Sequence, residues 1–150
     1  MPLKPNLNSI FLNQLELGLK LKGYDVIRIP PPPLASNGQD YDLAKIKGTF
    51  DAVLATSLYG GYWEESGGMT IGVAPRIVAS ITLTAASSDR KLFVDSYIYG
   101  TQQLGKMIQV IPDQKFLIPS SEEMFADIKL ATEGLKTGAA KIAERVLLDL

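Results

Sequence analysis

Two stretches of alternating residues, 76–84 and 91–99, constrain the fold of this chain more than any other feature. A period of two that is rich in β-branched residues is typical of a half-buried strand. The polar residues at 87–89 lie between the two stretches and favour a turn. Residues 69–100 are therefore predicted to form a long antiparallel hairpin at the centre of the sheet.

The apolar pattern also predicts the register of this hairpin. If Thr84 pairs with Lys91, the aliphatic residues of the two arms face each other. The predicted pairs are Leu83 with Leu92, Ile81 with Val94, Ala79 with Ser96, and Ile77 with Ile98. Because a slip of one residue moves every side chain to the other face, this match is expected to determine the pairing.

The opposite face of the predicted hairpin carries Phe93, Tyr97 and Tyr99. An antiparallel sheet that is covered on one side normally presents polar residues to water on the other. Three interpretations are open. The aromatic residues stabilise the sheet by cross-strand pairing, or they form a surface for a partner or second subunit, or another layer of the same chain covers them.

Length and composition indicate an ordinary globular protein. The 150 residues fit a single domain, with 46% hydrophobic and 21% charged residues. Residues 1–8 are predicted to be an irregular leader and residues 9–150 a single α/β domain. The net charge is −1 and the lysines and arginines are scattered, so no nucleic-acid partner is predicted.

The residue types that are missing exclude several kinds of chemistry. The chain has neither cysteine nor histidine, which excludes thiol catalysis, disulfides, thiolate zinc sites and imidazole acid–base catalysis. It also lacks the Walker A, Rossmann, G-x-S-x-G and EF-hand patterns. We therefore predict no catalytic residue, no cofactor site and no metal site, and a protein that is not an enzyme.

The first half of the chain is predicted to contain two helices and two strands. A helix is expected from about Ser9 to Lys22, capped by Asn8 or Ser9 and ended by Gly23. A strand follows at 24–29, and then four prolines predict a stiff loop or, alternatively, a docking segment. A short helix capped by Asp40 or Asp42 is expected through residues 43–47, stopped by Gly48. The apolar run at 50–59 indicates a central strand that is parallel to the first.

The end of the chain predicts an edge strand and a long helix. Residues 107–111 are expected to form a short edge strand that ends at Pro112. Ser120 and Glu123 make a capping box before the amphipathic stripe of the last helix. Gly134 and Gly138 lie near this stripe and indicate either close packing or a break in the helix. The predicted fold is a two-layer α/β sandwich, a mixed sheet around the central hairpin with helices mainly on one face.

The segment 60–68 is predicted to be a glycine-rich loop. It contains Tyr62, Trp63, Glu64 and Glu65 between two pairs of glycines. Surface Trp and Tyr residues are typical binding anchors. The alternative is that Trp63 folds back and closes one end of the core.

Several segments carry a resemblance to one group of proteins. They are Lys22-Gly23-Tyr24-Asp25-Val26, Phe50-Asp51-Ala52-Val53-Leu54, Ile81-Thr82-Leu83-Thr84-Ala85 and Lys91-Leu92-Phe93-Val94-Asp95-Ser96-Tyr97, followed by the long terminal helix. In this order they resemble the periplasmic α/β domains of bacterial envelope proteins. That group includes the curli-secretion lipoprotein CsgG, the Pel polysaccharide lipoprotein PelC and the amino-terminal domain of TolB.

The resemblance implies an exported, non-enzymatic protein of the periplasm or outer membrane. Membrane attachment is expected only through a lipid anchor that is absent from this chain, and a cytoplasmic location is the alternative. The first functional hypothesis is binding to a protein partner or self-assembly, with contacts at Tyr62, Trp63, Phe93, Tyr97 and Tyr99. The second is a small-molecule or glycan site closed by the aromatic loop, which also carries Glu64 and Glu65.

Overall fold

A computed structural model describes residues 5–46, 48–67 and 70–150. Parts of the predicted leader, short helix, glycine-rich loop and hairpin lie outside these residues, at positions 1–4, 47, 68 and 69 respectively. The helices are α1 (Leu7–Leu21), α2 (Ser121–Ala126) and α3 (Ile128–Asp149), with two short 3₁₀ helices at Leu43–Lys45 and Gln114–Phe116. The strands are β1 (Ala52–Gly67), β2 (Thr70–Ala85), β3 (Lys91–Tyr99) and β4 (Ile108–Val110).

The four strands form one mixed sheet in the order β1-β2-β3-β4. β2 is antiparallel to both β1 and β3, and β4 is parallel to β3. The hairpin of β2 and β3 is therefore central, as predicted. Residues of α1 and α3 pack against the sheet in one apolar cluster, so the fold is a two-layer α/β sandwich.

The main core lies between the helices and one face of the sheet, which we call the inner face. Its buried members come from both helices and both central strands. They are Phe11, Leu15, Ile77, Ala79, Ile81, Tyr97, Tyr99, Ala139, Ile142, Ala143 and Val146. The opposite side of the sheet, which carries the alternate side chains of the same strands, is called the outer face.

The register predicted for the central hairpin is wrong by one residue over most of its length. Thr84 pairs with Lys91 as predicted, but Leu83 pairs with Phe93 and not with Leu92. The pairing shifts between Leu83 and Thr84, because Leu92 is an extra residue in β3, as in a β-bulge. Beyond this point Tyr97 and Tyr99 share the inner face with Ala79 and Ile77.

Strand β1 differs from the prediction in position and length. It lies at an edge of the sheet and not at its centre, and it runs without interruption from Ala52 to Gly67. The predicted glycine-rich loop is therefore wrong, because its residues up to Gly67 continue the ladder with β2. Position 60 requires a glycine, because the Cβ of any other residue would lie 2.7 Å from the carbonyl oxygen of Arg76.

The strand predicted at 24–29 is also wrong. This segment has no regular structure, and Tyr24 and Ile27 are exposed. Its Arg28 side chain binds Asn13 and Glu16 on α1, so the segment follows the helix surface. A β-branched apolar segment forms a strand only where a sheet edge can satisfy its backbone groups. The predicted parallel pairing with the strand at 50–59 is lost with it.

The helix ends follow the predicted capping chemistry in part. Asn6, and not Asn8 or Ser9, caps α1 by accepting from the Ser9 amide at 3.0 Å, while Gly23 ends it with φ 93°. Asp42 caps the first 3₁₀ helix through the Ala44 amide.

At the other end of the chain, the capping box is confirmed, because the hydroxyl of Ser120 accepts from the amide of Glu123 at 3.1 Å. The last helix breaks at Asp127, which caps α3 through the amide of Leu130, and not at its glycines. The short strand β4 lies at the edge of the sheet, as predicted.

Candidate functional site

The residues predicted to contact a partner divide between the two faces of the sheet. Successive residues of a strand point to opposite faces. Tyr62 packs with the inner-face residues Val73 and Ile118, so Trp63 and Glu65 lie on the outer face. Phe93, Tyr97 and Tyr99 are packed in or against the main core. The structure therefore does not bring the predicted contact residues together at one site.

Tyr97 and Tyr99 are core residues and not a contact surface. Both are 0% exposed, and the hydroxyl of Tyr97 donates to Asp149 Oδ2 at 3.0 Å. Burial, together with the bond to this carboxylate, raises the pKa of Tyr97. The prediction failed because the bulge at Leu92 rotates these side chains toward the helices. Another layer of the same chain covers them, which was the third of the interpretations left open by the sequence.

The inner face also holds two buried tyrosine hydroxyls. In the described part of the chain the hydroxyl oxygens of Tyr62 and Tyr99 are buried and have no hydrogen-bond partner. Burial raises the pKa of each residue to about 12. The predicted close packing of the helix glycines is confirmed here, since a Cβ at Gly134 would lie 2.4 Å from the Tyr62 hydroxyl oxygen.

A polar cluster on the outer face surrounds Arg76. Its guanidinium lies 5.4 Å from the ring centroid of Trp63 and 3.6 Å from Glu65 Oε1. Thr101, which follows β3, donates its hydroxyl hydrogen to the carboxylate of Glu65 on β1. The chain after β3 is thereby tied to the far edge strand across β2. Sequence reasoning missed Arg76 as the partner of Trp63, and Thr101 as a partner of Glu65, because it treated this segment as a loop.

Glu64 lies on the other side of β1 from this cluster. It lines a cavity of about 440 Å³ together with Gly72, Val73 and residues 119–122, and its Oε1 is 3.4 Å from the hydroxyl of Ser121. Because Glu64 and Trp63 point to opposite faces, one small ligand does not reach both. The aromatic, acidic pocket expected from the sequence is not formed by these residues.

Away from the Arg76 cluster, the outer face is buried at Val78 and Ile98 but carries exposed apolar side chains on either side of them. Tyr59 is 63% exposed and Val94 is 58% exposed, although both belong to well-paired strands. Ser57, Ser80 and Ser96 form a row across β1, β2 and β3 between them. We call Ser57, Tyr59, Ser80, Val94 and Ser96 the outer patch. The charged side chains beside it are paired, Arg76 with Glu65 at one end and Lys91, which lies opposite Thr84, with Asp40 at the other.

The described residues form neither a metal site nor a membrane-spanning helix. In residues 5–46, 48–67 and 70–150 no group of three or more acidic side chains is placed to hold a metal ion. None of the helices in that part of the chain is long and apolar enough to cross a membrane. Comparisons of the chain with protein-family models, with curated proteins and with solved structures found no match.

Proposed function

We propose that this domain acts by binding another protein through the outer face of its sheet, and that it catalyses no reaction. The observation that carries the proposal is the exposure of large apolar side chains on a sheet face that the helices do not cover. Tyr59 and Val94 remain more than half exposed there. In a two-layer sandwich this face is normally polar, and aromatic side chains such as Tyr59 are enriched in interface cores.

The chemistry of the outer patch supports a partner with a neutral surface. Its members are apolar or hydroxyl-bearing, and the nearby charges of Arg76 and Glu65 neutralise each other. Interface cores are depleted of charged residues and enriched in aromatic ones. A flat face made of serines around Tyr59 also permits the close approach of another protein surface, and it offers nothing to a highly charged ligand.

The alternative function, a small-molecule or glycan site, has less geometric support. It required Trp63 and the neighbouring carboxylates to close together over one pocket. Trp63 is instead stacked on Arg76 at the outer face, while Glu64 lies beside Ser121 at the inner face. The protein-binding proposal needs no such pocket.

We also propose a location in the bacterial envelope, in the periplasm or at the outer membrane. The support is the resemblance to the envelope domains, which rests on the segments 22–26, 50–54, 81–85 and 91–97 and on the terminal helix, although residues 24–26 do not form a strand here. Fractionation of cells that express the chain from its complete gene tests this proposal. Recovery with periplasmic or outer-membrane markers is expected, and recovery with cytoplasmic enzymes contradicts it.

Site-specific photo-crosslinking tests the protein-binding proposal. A photoreactive amino acid at Val94 should give discrete protein adducts in the native cells. The same amino acid at Leu148, which is 81% exposed on α3, is the matched control and should give none. A Ser80→Lys substitution in the Val94 variant, at an exposed outer-patch residue on β2, should weaken those adducts. Equal adducts at both positions, or none at Val94, would contradict the proposal.

A further inference from the structure

We propose that the free edge of β1 pairs with the same edge of a second copy of this chain, so that two four-stranded sheets join into one continuous sheet. The inference goes beyond the protein-binding role proposed above, because it concerns the edge of the sheet and not its outer face. It names the occupant of that edge, which is a second copy in antiparallel orientation.

The unpaired edge of β1 is long. β1 has 16 residues and is bonded to β2 on one side only. Among the described residues no other strand or isolated bridge pairs with its second side. An edge strand of this length presents a row of backbone N–H and C=O groups that can template pairing with another chain.

Strand β1 lacks the features that normally protect an edge strand from pairing with another chain. Its sequence from Ala52 to Gly67 contains no proline, lysine or arginine. The opposite edge differs, because β4 has only three residues and the chain reaches Pro112 two positions after it ends. Natural proteins blunt exposed edges by short length, proline and charge. One edge of this sheet is protected in this way and the other is not.

The charges of β1 favour antiparallel pairing of two copies over parallel pairing. Its two carboxylates, Glu64 and Glu65, both lie near the carboxyl end of the strand. In a parallel arrangement of two copies these carboxylates would be neighbours, and like charges directly opposite each other are destabilising. Antiparallel pairing about a twofold axis places them roughly 40 Å apart along the strand. Each pair of carboxylates then faces the uncharged Val53–Ala55 end of the other copy.

The centre of the proposed contact lies at Tyr59. The middle of the strand falls between Tyr59 and Gly60. In a continuous sheet the twofold axis must relate a residue to its own copy, and an axis at Tyr59 pairs residues 52–66 of the two chains and brings Tyr59 opposite Tyr59 of the second copy. An aromatic cross-strand pair of this kind is favourable, and it would cover a side chain that is 63% exposed. The contact involves fewer than the 20–30 residues a side of a standard interface. The expected dimer is therefore weak and dependent on concentration.

Sedimentation analysis of matched lysine variants tests the proposal. Tyr59→Lys places two ammonium groups together at the axis and should weaken dimerisation at least tenfold. Val94→Lys changes a similarly exposed apolar residue on the same face but on β3, and it should dimerise like the unmodified chain. If both variants are monomeric, the sheets associate face to face and the edge proposal is wrong. A chain that stays monomeric at every concentration also overturns it.

Cysteine crosslinking provides an independent test, because the chain contains no cysteine. Directly opposed residues of antiparallel strands have Cα atoms about 4.5–5.5 Å apart, which suits a disulfide. A Tyr59→Cys variant should form a covalent dimer under mild oxidation. Leu148→Cys, on the exposed surface of α3, is the control. Equal crosslinking of the two variants, or none at position 59, contradicts the proposed axis.

Neither outcome depends on the protein-binding proposal. Failure of the edge contact leaves the crosslinks from Val94 to other proteins unaffected, and absence of those crosslinks leaves the dimer intact.

Discussion

Gly138 of α3 lies directly against the ring of Tyr99 on β3. A Cβ atom at this glycine would be 2.5 Å from Tyr99 Cδ1 and 2.8 Å from Ile77 Cδ1. The helix therefore approaches the central hairpin at a distance that only a glycine permits. This contact explains why a residue that weakens an isolated helix is found in the middle of α3.

We expect Gly138→Ala to destabilise the fold by about 1–3 kcal/mol, because the added methyl group overpacks a closed core. Helix propensity alone would give about 1 kcal/mol in the opposite direction. Urea unfolding measures the difference. Lys136→Ala, on the exposed side of the same helix, controls for propensity. A stabilised Gly138→Ala variant would show that α3 and the sheet are not in close contact.

Removing a hydrogen-bonded tyrosine hydroxyl should lower the free energy of unfolding, whereas removing a buried hydroxyl without a partner should not. Tyr97→Phe loses the hydrogen bond to Asp149 and should cost about 0.5–1.5 kcal/mol. Tyr62→Phe removes a buried hydroxyl that has no hydrogen-bond partner in the described structure, so it should be neutral or stabilising by up to about 1 kcal/mol. Thermal or urea unfolding of both variants tests this. The reverse order of the two effects would contradict the assignment.

The sequence predicted the elements whose signals are local. The capping box at Ser120, the helix stop at Gly23 and the turn between β2 and β3 all depend on chemistry within a few residues. The two-layer architecture followed from the amphipathic helices and the alternating hairpin. The outer-face cluster around Arg76 was not predictable, because it requires knowing that β1 continues past Gly60.

The register failed because both faces of β3 are partly apolar. Leu92 and Val94 suit an inner face as well as Phe93 and Tyr97 do, so the aliphatic match could not reveal one extra residue. Glycine is usually unfavourable in a strand, which is why the Gly60–Gly61 pair was interpreted as a loop. The segment 24–29 is rich in β-branched apolar residues, but pairing is a tertiary property that a single segment does not encode.

Deletion of Leu92 should leave the fold intact. In the native pairing this residue is the extra one, and all later pairs from Leu83 with Phe93 onward are retained without it. The free energy of unfolding should change by no more than about 1 kcal/mol, the range of small surface changes and one lost bulge.

Deletion of Ser80 is the control for the Leu92 deletion. Ser80 is also exposed, but it lies in β2, which pairs on both sides. Its loss moves half of β2 to the wrong face and should prevent folding. Circular dichroism and urea unfolding measure both. Equal damage from the two deletions would contradict the bulge.

Trp63→Ala should cost about 0.5–1 kcal/mol, because the indole is 50% exposed and its main contact is the guanidinium of Arg76. The variant should stay folded. Trp63→Phe keeps an aromatic face over Arg76 and should lose less stability. A loss of 3 kcal/mol or more in Trp63→Ala, typical of a buried aromatic residue, would identify Trp63 as part of the core.

The buried tyrosines also predict an alkaline limit to stability. The pKa values of Tyr62 and Tyr99 are about 12 in the folded protein, against about 10 in an unfolded chain. Below pH 10 both states are protonated, so the stabilising contribution is fully present. Between pH 10 and 12 the unfolded chain releases its protons first, and the free energy of unfolding therefore falls as the pH rises.

The expected loss is on the order of 1 kcal/mol for each tyrosine over this range. Urea unfolding at several pH values between 9 and 12 measures it. A Tyr62→Phe/Tyr99→Phe double variant lacks both titrations and should lose less stability with pH. Tyr24→Phe, at a residue that is 59% exposed, is the control and should follow the unmodified chain. If the double variant is as sensitive as the control, alkaline unfolding comes from other groups and not from the hydroxyls under α3.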